Sequence, residues 1–538
     1  MKRLLLSFLS LLIPFFTFAQ EATEKGIDQK IDEAFRPISD AISGIVFFPI
    51  YGTPFVLILL VGSALFFTLY FGFPNIRYFF TSVNIVRGKY DEVDHHESGD
   101  SELAIDGDIV DTIEDESRDG EVTHFQALAT AVSGTVGNGN IAGVALAIAL
   151  GGPGATFWMI ICGLLGMSTK FVECTLGVEY RDVDEDGTVH GGPMYYISKG
   201  LKDKGFKMLG KAAAVLFAIF CIGGSFGGGN AAQSNQATIV IKDLLGMEGS
   251  SAGAVIGIIL AIVVGIIIIG GIKRIAQVTE KVVPFMAVLY LIACLYIILS
   301  NFTLIDDAVS LIITEAFNPT AIGVGSFIGV LLVGFKRAAF SNEAGAGSAS
   351  IAHSAVKTKY SASEGLVALL EPFIDTVVIC TMTALVIIIF NFGVDGSAIF
   401  QYGGDGSGAV LIDGVSYEGA GITSKAFAQY IPFSNVFLTV AVVLFAVSTM
   451  ISWSYYGLQS WKFLFGKGKA ADLTYKFLFL IFVVIGAAAS MQSIWDFSDA
   501  MIFAMVFPNM IGLYFLFPVV KKQLKRYLSA IKEVEAKA

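Results

Sequence analysis

The chain has 538 residues, of which 55% are hydrophobic and only 15% are charged, and its mean hydropathy is +0.71. A soluble protein of this size carries about 25% charged residues, so the composition excludes an ordinary soluble domain. The net charge of −11 argues against nucleic-acid binding, because much of it lies in one acidic segment, 91–121, which is typical of a solvated loop. Repeated apolar runs of about 20 residues predict an all-α polytopic membrane protein.

The N-terminus has the pattern of a secretory signal peptide. Residues 1–19 begin with the basic Lys2 and Arg3, continue as an apolar core and end with small residues. We expect cleavage after Ala19. The polar segment 20–45 is predicted to be extracytoplasmic and either amphipathic or loosely ordered.

Eleven transmembrane helices are predicted after the signal peptide. An extra helix at 52–72, within the segment 46–80, comes before the acidic cytoplasmic loop 81–123. Ten more helices, numbered one to ten, follow at 124–148, 154–178, 210–240, 252–272, 280–300, 322–352, 364–391, 432–459, 474–490 and 497–519. Because each group of five has an odd number of spans, the halves 124–303 and 304–520 are inverted relative to each other.

The basic residues of the short loops set the expected orientation. They fall on one side of the predicted helices and include Arg77, Arg87, Lys89, Lys199, Lys202, Lys273, Arg274, Lys357, Lys359, Lys462, Lys467, Lys521 and Lys522. That side is predicted to be cytoplasmic, with the tail 521–538, in a plasma membrane that we expect to be a bacterial inner membrane. The long loop 392–431 is then external, and alternating apolar residues near Ala409–Ser416 predict a short hairpin in it.

Helix one carries a glycine-rich break, Ser133-Gly-Thr-Val-Gly-Asn-Gly-Asn-Ile-Ala-Gly143. Irregular backbone at membrane depth is tolerated only against protein or a water-filled cavity, and paired breaks in the two halves indicate a transporter's binding site. Unwinding would leave a half-helix N-terminus near Asn138–Asn140, suited to a carboxylate. The carbonyl groups of Ser133–Val136 would suit a sodium ion. Close helix packing through small residues is the alternative.

Helix six carries the matching break, Phe340-Ser-Asn-Glu-Ala-Gly-Ala-Gly-Ser348. An acid near the bilayer midplane is costly, so Glu343 is expected to be paired or functional. It would either neutralise a substrate ammonium group or pair with Lys336 or Arg337. Asp375 of helix seven is a second buried acid, expected to be structural or to take part in gating.

Helices three and eight add polar groups. Asn230 and Gln233 are three residues apart on helix three and are predicted to share a face, from which they would bind a polar ligand or a neighbouring helix. Ser448 and Thr449 of helix eight would form a sodium site if they face helix one, or would bond their own helix.

No sequence feature predicts catalysis or a resident metal. The five cysteines lie in apolar helices without CxxC spacing, and the five histidines lie in loops or at helix ends. Neither type forms a cluster with metal-ligand spacing, and no nucleophile–base pair or phosphate loop is present. An enzyme is therefore not expected.

Several segments together resemble the alanine or glycine:cation symporter family, which is known for sodium:alanine symport. They are SGTVGNGNIAGVA (133–145), GGPGATFWM (151–159), GGPMYYI (191–197), GGGNAAQSNQ (227–236), FSNEAGAGSASIAHSA (340–355) and EPFIDT (371–376). The resemblance covers about 45–520. It implies the leucine-transporter-type fold, which is a five-plus-five inverted repeat with helices one and six broken and, in this family, one extra N-terminal helix.

The resemblance also implies where the ligands bind. Sodium would contact carbonyl oxygens of Ser133, Val136 and Phe445 and hydroxyl groups of Ser448 and Thr449. The substrate site would be formed by Thr135, Gly137, Gly139, Asn140, Gln233, Phe340, Ser341, Asn342 and Trp453, with the carboxylate near the first three.

The sequence thus predicts sodium-coupled import of a small neutral amino acid, alanine or glycine, by alternating access. The many small residues around the breaks favour a small substrate. Two alternatives stay open. One is a proton-coupled transporter with Glu343 or Asp375 as relay, and the other is a membrane sensor or channel in which 91–121 binds a partner.

Overall fold

A computed structural model describes residues 27–94, 120–185, 187–247, 251–318, 327–393, 396–403 and 406–537. The predicted signal peptide and most of the acidic segment lie outside the described residues. The polar N-terminal segment is an amphipathic helix, Ile27–Val46, which we call the N-terminal helix and which packs against helix ten.

A helical segment lies at each of the eleven predicted positions. Their bounds are Phe55–Tyr70 for the extra helix, His124–Thr135 and Gly139–Gly151 for helix one, Gly154–Glu179 for helix two, Lys207–Leu245 for helix three, Ala252–Ile268 for helix four, Gly271–Ser300 for helix five, Phe327–Asn342 and Ser350–His353 for helix six, Ser361–Asn391 for helix seven, Ser434–Phe465 for helix eight, Lys469–Ala488 for helix nine and Met491–Lys537 for helix ten.

Length and apolarity qualify seven of the described helices as membrane spans, and the two halves of helix one make an eighth. The extra helix and helix four are apolar but shorter than 18 residues. The predicted count of eleven stays a prediction.

The remaining helices and strands lie at the two ends of the bundle. They are the helices Pro74–Arg77, Phe79–Val86, Asp91–Asp94, Pro193–Asp203, Phe302–Leu304, Ile305–Phe317 and Ala420–Tyr430, and the antiparallel pairs Pro49–Ile50 with Thr53–Pro54, Asp182–Val183 with Val189–His190, and Val410–Ile412 with Val415–Tyr417. The last pair confirms the hairpin predicted in the long loop.

Helix packing brings the two broken helices to the centre. Helix one contacts helices five and eight, and helix six packs along helix two. Helix two also contacts helix seven, while helix three lies between helices eight and ten. One hydrophobic core extends through most of these helices, with the breaks inside it.

The ends of the bundle are named by their charge. The basic end comprises residues 87–94, 120–124, 180–207 and 353–360, and it carries the basic loops. The opposite end carries the N-terminal helix and Ala420–Tyr430.

Candidate functional site

Helix one is broken where the glycines predicted. It starts at His124 with a capping box, in which Thr123 and Gln126 each accept a hydrogen bond from the other's backbone N–H, and its first half ends at Thr135. The chain resumes as a π-helical turn at Gly139, and the two halves are bent by 50°. The break between the two halves requires glycine at position 137, because a Cβ there would lie 2.4 Å from Thr449 Oγ1 of helix eight.

Side chains hold the unwound turn of helix one. Asn140 Oδ1 accepts a hydrogen bond from the Gly137 N–H at 2.9 Å. Gln233 Oε1 of helix three accepts one from the Asn138 N–H at 3.0 Å, and Asn138 Nδ2 donates to the Gln233 carbonyl at 3.1 Å. The backbone amides of Gly137 and Asn138 are therefore bonded within the protein.

Helix six is broken after Asn342, also as predicted. Glu343, Gly345 and Gly347 have φ angles of 55°, 96° and 86°, a left-handed conformation that ends a helix. Asn342 Oδ1 accepts from the Ala344 N–H at 3.0 Å, so this side chain caps the broken end.

Asp375 of helix seven joins the two breaks. Its carboxylate accepts hydrogen bonds from Asn140 Nδ2 at 2.6 Å, from Ser341 Oγ at 2.9 Å and from the neighbouring Thr376 Oγ1 at 2.7 Å. Because Asn140 belongs to helix one and Ser341 to helix six, a single buried carboxylate fixes both unwound segments to helix seven.

A small cavity lies between the breaks. Its volume is about 10 Å³, room for about one water molecule. It is lined by Gly134, Thr135, Gly139, Gly228, Gln233, Phe340, Ser341, Glu343, Trp453 and Ile502. The side chains in this set are at most 5% exposed, so the cavity is closed off from solvent at both ends.

Six of the nine predicted substrate residues line this cavity: Thr135, Gly139, Gln233, Phe340, Ser341 and Trp453. Gly137, Asn140 and Asn342 lie beside it and bond to neighbouring groups. Sequence reasoning missed Gly134, Gly228 and Ile502. Ile502 could not have been found, since an apolar residue in an apolar helix carries no chemical signal.

Glu343 is a cavity residue. Its Oε1 accepts a hydrogen bond from Trp453 Nε1 at 2.9 Å, and its Oε2 accepts one from Ser348 Oγ. The predicted pairing with Lys336 or Arg337 is wrong, because both cations contact Asp499 of helix ten instead. The left-handed turn at Glu343 carries its side chain away from the face of helix six that bears them.

The predicted shared face of Asn230 and Gln233 is also wrong. Asn230 Nδ2 donates to the Phe479 carbonyl of helix nine at 2.6 Å, whereas Gln233 faces helix one. Residues Gly227–Ala231 form a π-helical turn, which inserts an extra residue and changes the angle between the two positions.

The predicted sodium-binding residues come together where helix one meets helix eight. Thr449 Oγ1 donates to the Ser133 carbonyl at 3.0 Å, and Ser133 Oγ donates to the Ser448 carbonyl at 2.8 Å. Ser448 Oγ donates to the Phe445 carbonyl at 3.0 Å. Val136 stands at the end of the same half-helix. We call this set of carbonyl and hydroxyl oxygens the oxygen cluster.

Both ends of the bundle are closed over the cavity. At the opposite end, Arg337 pairs with Asp499, and the Phe340 and Trp495 rings stack with centroids 5.0 Å apart. At the basic end, Val122, just before helix one, forms a parallel β-bridge with Val356, just after helix six.

The fold and site are those of a transporter with two broken helices around a central cavity. A solved structure of MhsT in complex with L-phenylalanine is similar, with a TM-score of 0.50 at 14% sequence identity, covering 77% of this chain and all of that one. The similarity confirms the leucine-transporter-type fold.

A sequence model of the sodium:alanine symporter family matches residues 38–538, and the chain belongs to that family. It is 38% identical to the sodium/alanine symporter AgcS of Methanococcus maripaludis over 486 residues, 90% of this chain and 96% of that protein. It is 35% identical to the probable sodium/glutamine symporter GlnT of Bacillus subtilis over 408 residues, 76% of this chain and 78% of that protein. The chain is thus a multi-pass membrane protein of a family of sodium-coupled amino-acid symporters.

Proposed function

We propose that this protein imports alanine, or the similarly small glycine, together with sodium by alternating access. The observation that carries the proposal is the small buried cavity between two broken helices, with the oxygen cluster beside it. A transporter must enclose its solute between binding at one end and release at the other. A central cavity that is closed at both ends is the arrangement expected for that enclosed state.

The side chains that line the cavity support a small substrate. Phe340, Trp453 and Ile502 surround it with large side chains, so a long substrate side chain would require these residues to move. Glycine at positions 134, 139 and 228 lets the backbone approach the substrate closely. Thr135 and the backbone near Gly137 and Gly139 would bind the carboxylate. The remaining predicted residues would hold the rest of the molecule.

The oxygen cluster supports sodium as the coupling ion. Carbonyl and hydroxyl oxygens are hard ligands of the kind that alkali and alkaline-earth cations prefer. Ser133, Val136 and Phe445 would supply carbonyl oxygens, and Ser448 and Thr449 would turn their hydroxyl oxygens from the backbone to the ion. Because the ion would bind the same unwound segment that binds the substrate, each would strengthen the binding of the other by the same factor.

The distribution of lysine and arginine supports an orientation with the basic end in the cytoplasm. The C-terminus of helix ten is then cytoplasmic, and the N-terminal helix is extracytoplasmic. The membrane is the plasma membrane, and a bacterial inner membrane would fit the signal peptide predicted for residues 1–19.

The test is accumulation of labelled alanine by proteoliposomes under an inward sodium gradient, compared with potassium and with a proton gradient. We expect accumulation with sodium alone. Thr449→Ala should abolish the sodium-driven accumulation. Thr439→Ala is its matched control, because it removes the same hydroxyl from the same helix away from the oxygen cluster.

The other outcomes select the alternatives. Accumulation driven by protons without sodium would move the coupling to Glu343 or Asp375. No accumulation under any gradient would favour a sensor or channel. Competition by glutamine or leucine as strong as that by alanine would contradict the small-substrate proposal.

A further inference from the structure

Six ionisable side chains form one buried row that begins at the basic end, in which acids and bases alternate. In order they are Asp94, His124, Glu364, His353, Glu371 and Lys170. His124 is 6% exposed and the other five are fully buried. A row of this kind is costly to place in a membrane protein unless it is paired along its whole length.

The first part of the row joins helices one, six and seven. His124 Nε2 lies 3.5 Å from Asp94 Oδ2, an ion-pair distance. His124 Nδ1 contacts Glu364 Oε2, and His353 Nδ1 lies 2.5 Å from Glu364 Oε1. One carboxylate therefore holds a histidine from each of the two broken helices.

The second part of the row joins helices two, six and seven. His353 Nε2 lies 3.5 Å from Glu371 Oε2, and Lys170 Nζ lies 3.0 Å from Glu371 Oε1. Lys170 belongs to helix two and Glu371 to helix seven, so the row extends from the ends of the broken helices into the bundle.

With its three carboxyl groups ionised and Lys170 protonated, the charges of the row balance when both histidines are protonated. Three carboxylates then face one ammonium and two imidazolium groups, and loss of either histidine proton leaves an uncompensated buried anion. Other ionisable groups beside the row are Glu173, Glu343, Cys174, Tyr527 and Arg181. When ionised, the two additional carboxyl groups increase the need for positive charge. Arg181 donates to the backbone carbonyls of Ser354 and Thr358.

The row lies where the basic end must separate if it is to open. His124 is the first residue of helix one and His353 the last of helix six. The neighbouring backbones are joined by hydrogen bonds from Glu121 N to Ala355 O at 2.7 Å and from Lys357 N to Val122 O at 2.7 Å. Moving these ends away from helix seven would part both histidines from Glu364 and let water in.

We propose that this row is a proton-binding site that closes the basic end, holding two protons when the end is closed and releasing them when it opens. The proposal rests on the proposed function for the need to open this end. Its ligand is the proton, and its site is separate from the oxygen cluster and the cavity.

The sign of the pH effect follows from linkage. Histidines in water have an ordinary pKa of about 6.5, so the opened, hydrated histidines lose their protons above that pH while the closed, paired ones keep them. Each proton released on opening then raises the open-to-closed ratio by up to about tenfold per pH unit. Protons therefore favour the closed end, and a rise in cytoplasmic pH favours opening.

The test measures opening directly, by the labelling rate of a cysteine at Ala127. This residue is fully buried at the start of helix one, and the five native cysteines are also buried. Purified full-length Ala127→Cys protein is labelled with a maleimide between pH 6.5 and 8.5. Its rate is divided by that of Lys204→Cys, an exposed position, to remove the effect of thiol ionisation.

We expect the corrected rate to rise by more than about tenfold per pH unit in the otherwise unchanged protein, since two protons are released. Adding His124→Gln or His353→Gln should reduce the rise to at most about tenfold per unit, and both together should abolish it. Glu364→Gln should give fast labelling at every pH. His190→Gln is the matched control: His190 is a buried histidine at the same end but bonds to Gln459 and Asp184, outside the row.

If the corrected labelling rate of the Ala127→Cys protein does not change with pH, the proposal is overturned. It is also overturned if Ala127→Cys protein that carries both His124→Gln and His353→Gln keeps the original pH dependence. Labelling requires neither substrate nor a gradient. A flat rate with intact sodium-driven alanine uptake would therefore count against the proton site alone, and a steep rate without such uptake would count against the proposed function alone.

Discussion

Gly137→Ala tests how tightly helix one must approach helix eight. A Cβ at this position would lie 2.4 Å from Thr449 Oγ1 and 3.0 Å from Gln233 Oε1. The Thr449 hydroxyl cannot move freely, because it donates to the Ser133 carbonyl at 3.0 Å. The methyl group must therefore either rotate that hydroxyl away or push helix eight outward.

Either response weakens the proposed sodium site. Thr449 gives up its hydrogen bond to Ser133 when sodium binds, so the larger effect is the overpacking of a close helix contact, which costs about 1–3 kcal/mol. Borne by the sodium-bound state, that cost corresponds to a sodium affinity about 5 to 150 times weaker. The expected change is thus large although only one carbon atom is added.

The assay is the sodium concentration that gives half-maximal thermal stabilisation of the purified protein, supported by the sodium dependence of alanine uptake. Gly143→Ala is the control, because it lies on the same helix outside the site and a Cβ there would meet only Trp495, at 3.5 Å, an ordinary contact. A Gly137→Ala protein whose sodium dependence stays within twofold of the original would refute the reasoning.

Three further predictions concern buried contacts. Lys170→Met removes the hydrogen-bonded ammonium partner of Glu371 and leaves the buried row one positive charge short. It should destabilise the protein by about 3–5 kcal/mol, seen as a fall in the thermal unfolding temperature. Trp453→Phe removes the hydrogen-bond donor to Glu343 Oε1. Leaving a buried acceptor without its partner costs about 1–3 kcal/mol, so alanine binding should weaken about 5- to 150-fold in a titration. Gly229→Ala places a Cβ 2.1 Å from Trp453 Cγ, close to the backbone, and should sharply reduce the yield of folded protein.

Each of these predictions has a control. Adding Glu371→Leu to Lys170→Met should recover most of the stability, since the uncompensated charge is removed; no recovery would contradict the pairing. Unchanged alanine affinity in Trp453→Phe would mean that the indole does not position Glu343. Gly44→Ala, where nothing lies within 4 Å of the added carbon, should fold normally.

Local chemistry made much of the fold predictable from the sequence. Apolar segments long enough to span a bilayer must form helices, because lipid offers the backbone N–H and C=O groups no hydrogen-bond partners. Glycine-rich interruptions at 133–143 and 340–348 break such helices wherever they fall, and both predicted breaks are present. The short hairpin in the long loop follows equally from local alternation.

The polar residues next to the breaks were also recognisable, since an asparagine, an acid or a pair of hydroxyl residues in an apolar helix needs a partner. The sequence thus singled out Asn140, Gln233, Ser448, Thr449 and Asp375 as polar residues that need partners. Their partners were not predictable by the same reasoning, because a partner lies on another helix at a rotation that composition does not specify.

Tertiary structure alone decided those partners. A π-helical turn separated the side chains of Asn230 and Gln233. The left-handed backbone of Glu343 turned its side chain toward Trp453, and Arg337 paired with Asp499 instead. The two histidines looked unremarkable at helix ends. Only the packing of helices one, six and seven placed them on one carboxylate, because groups hundreds of residues apart meet only when the chain has folded.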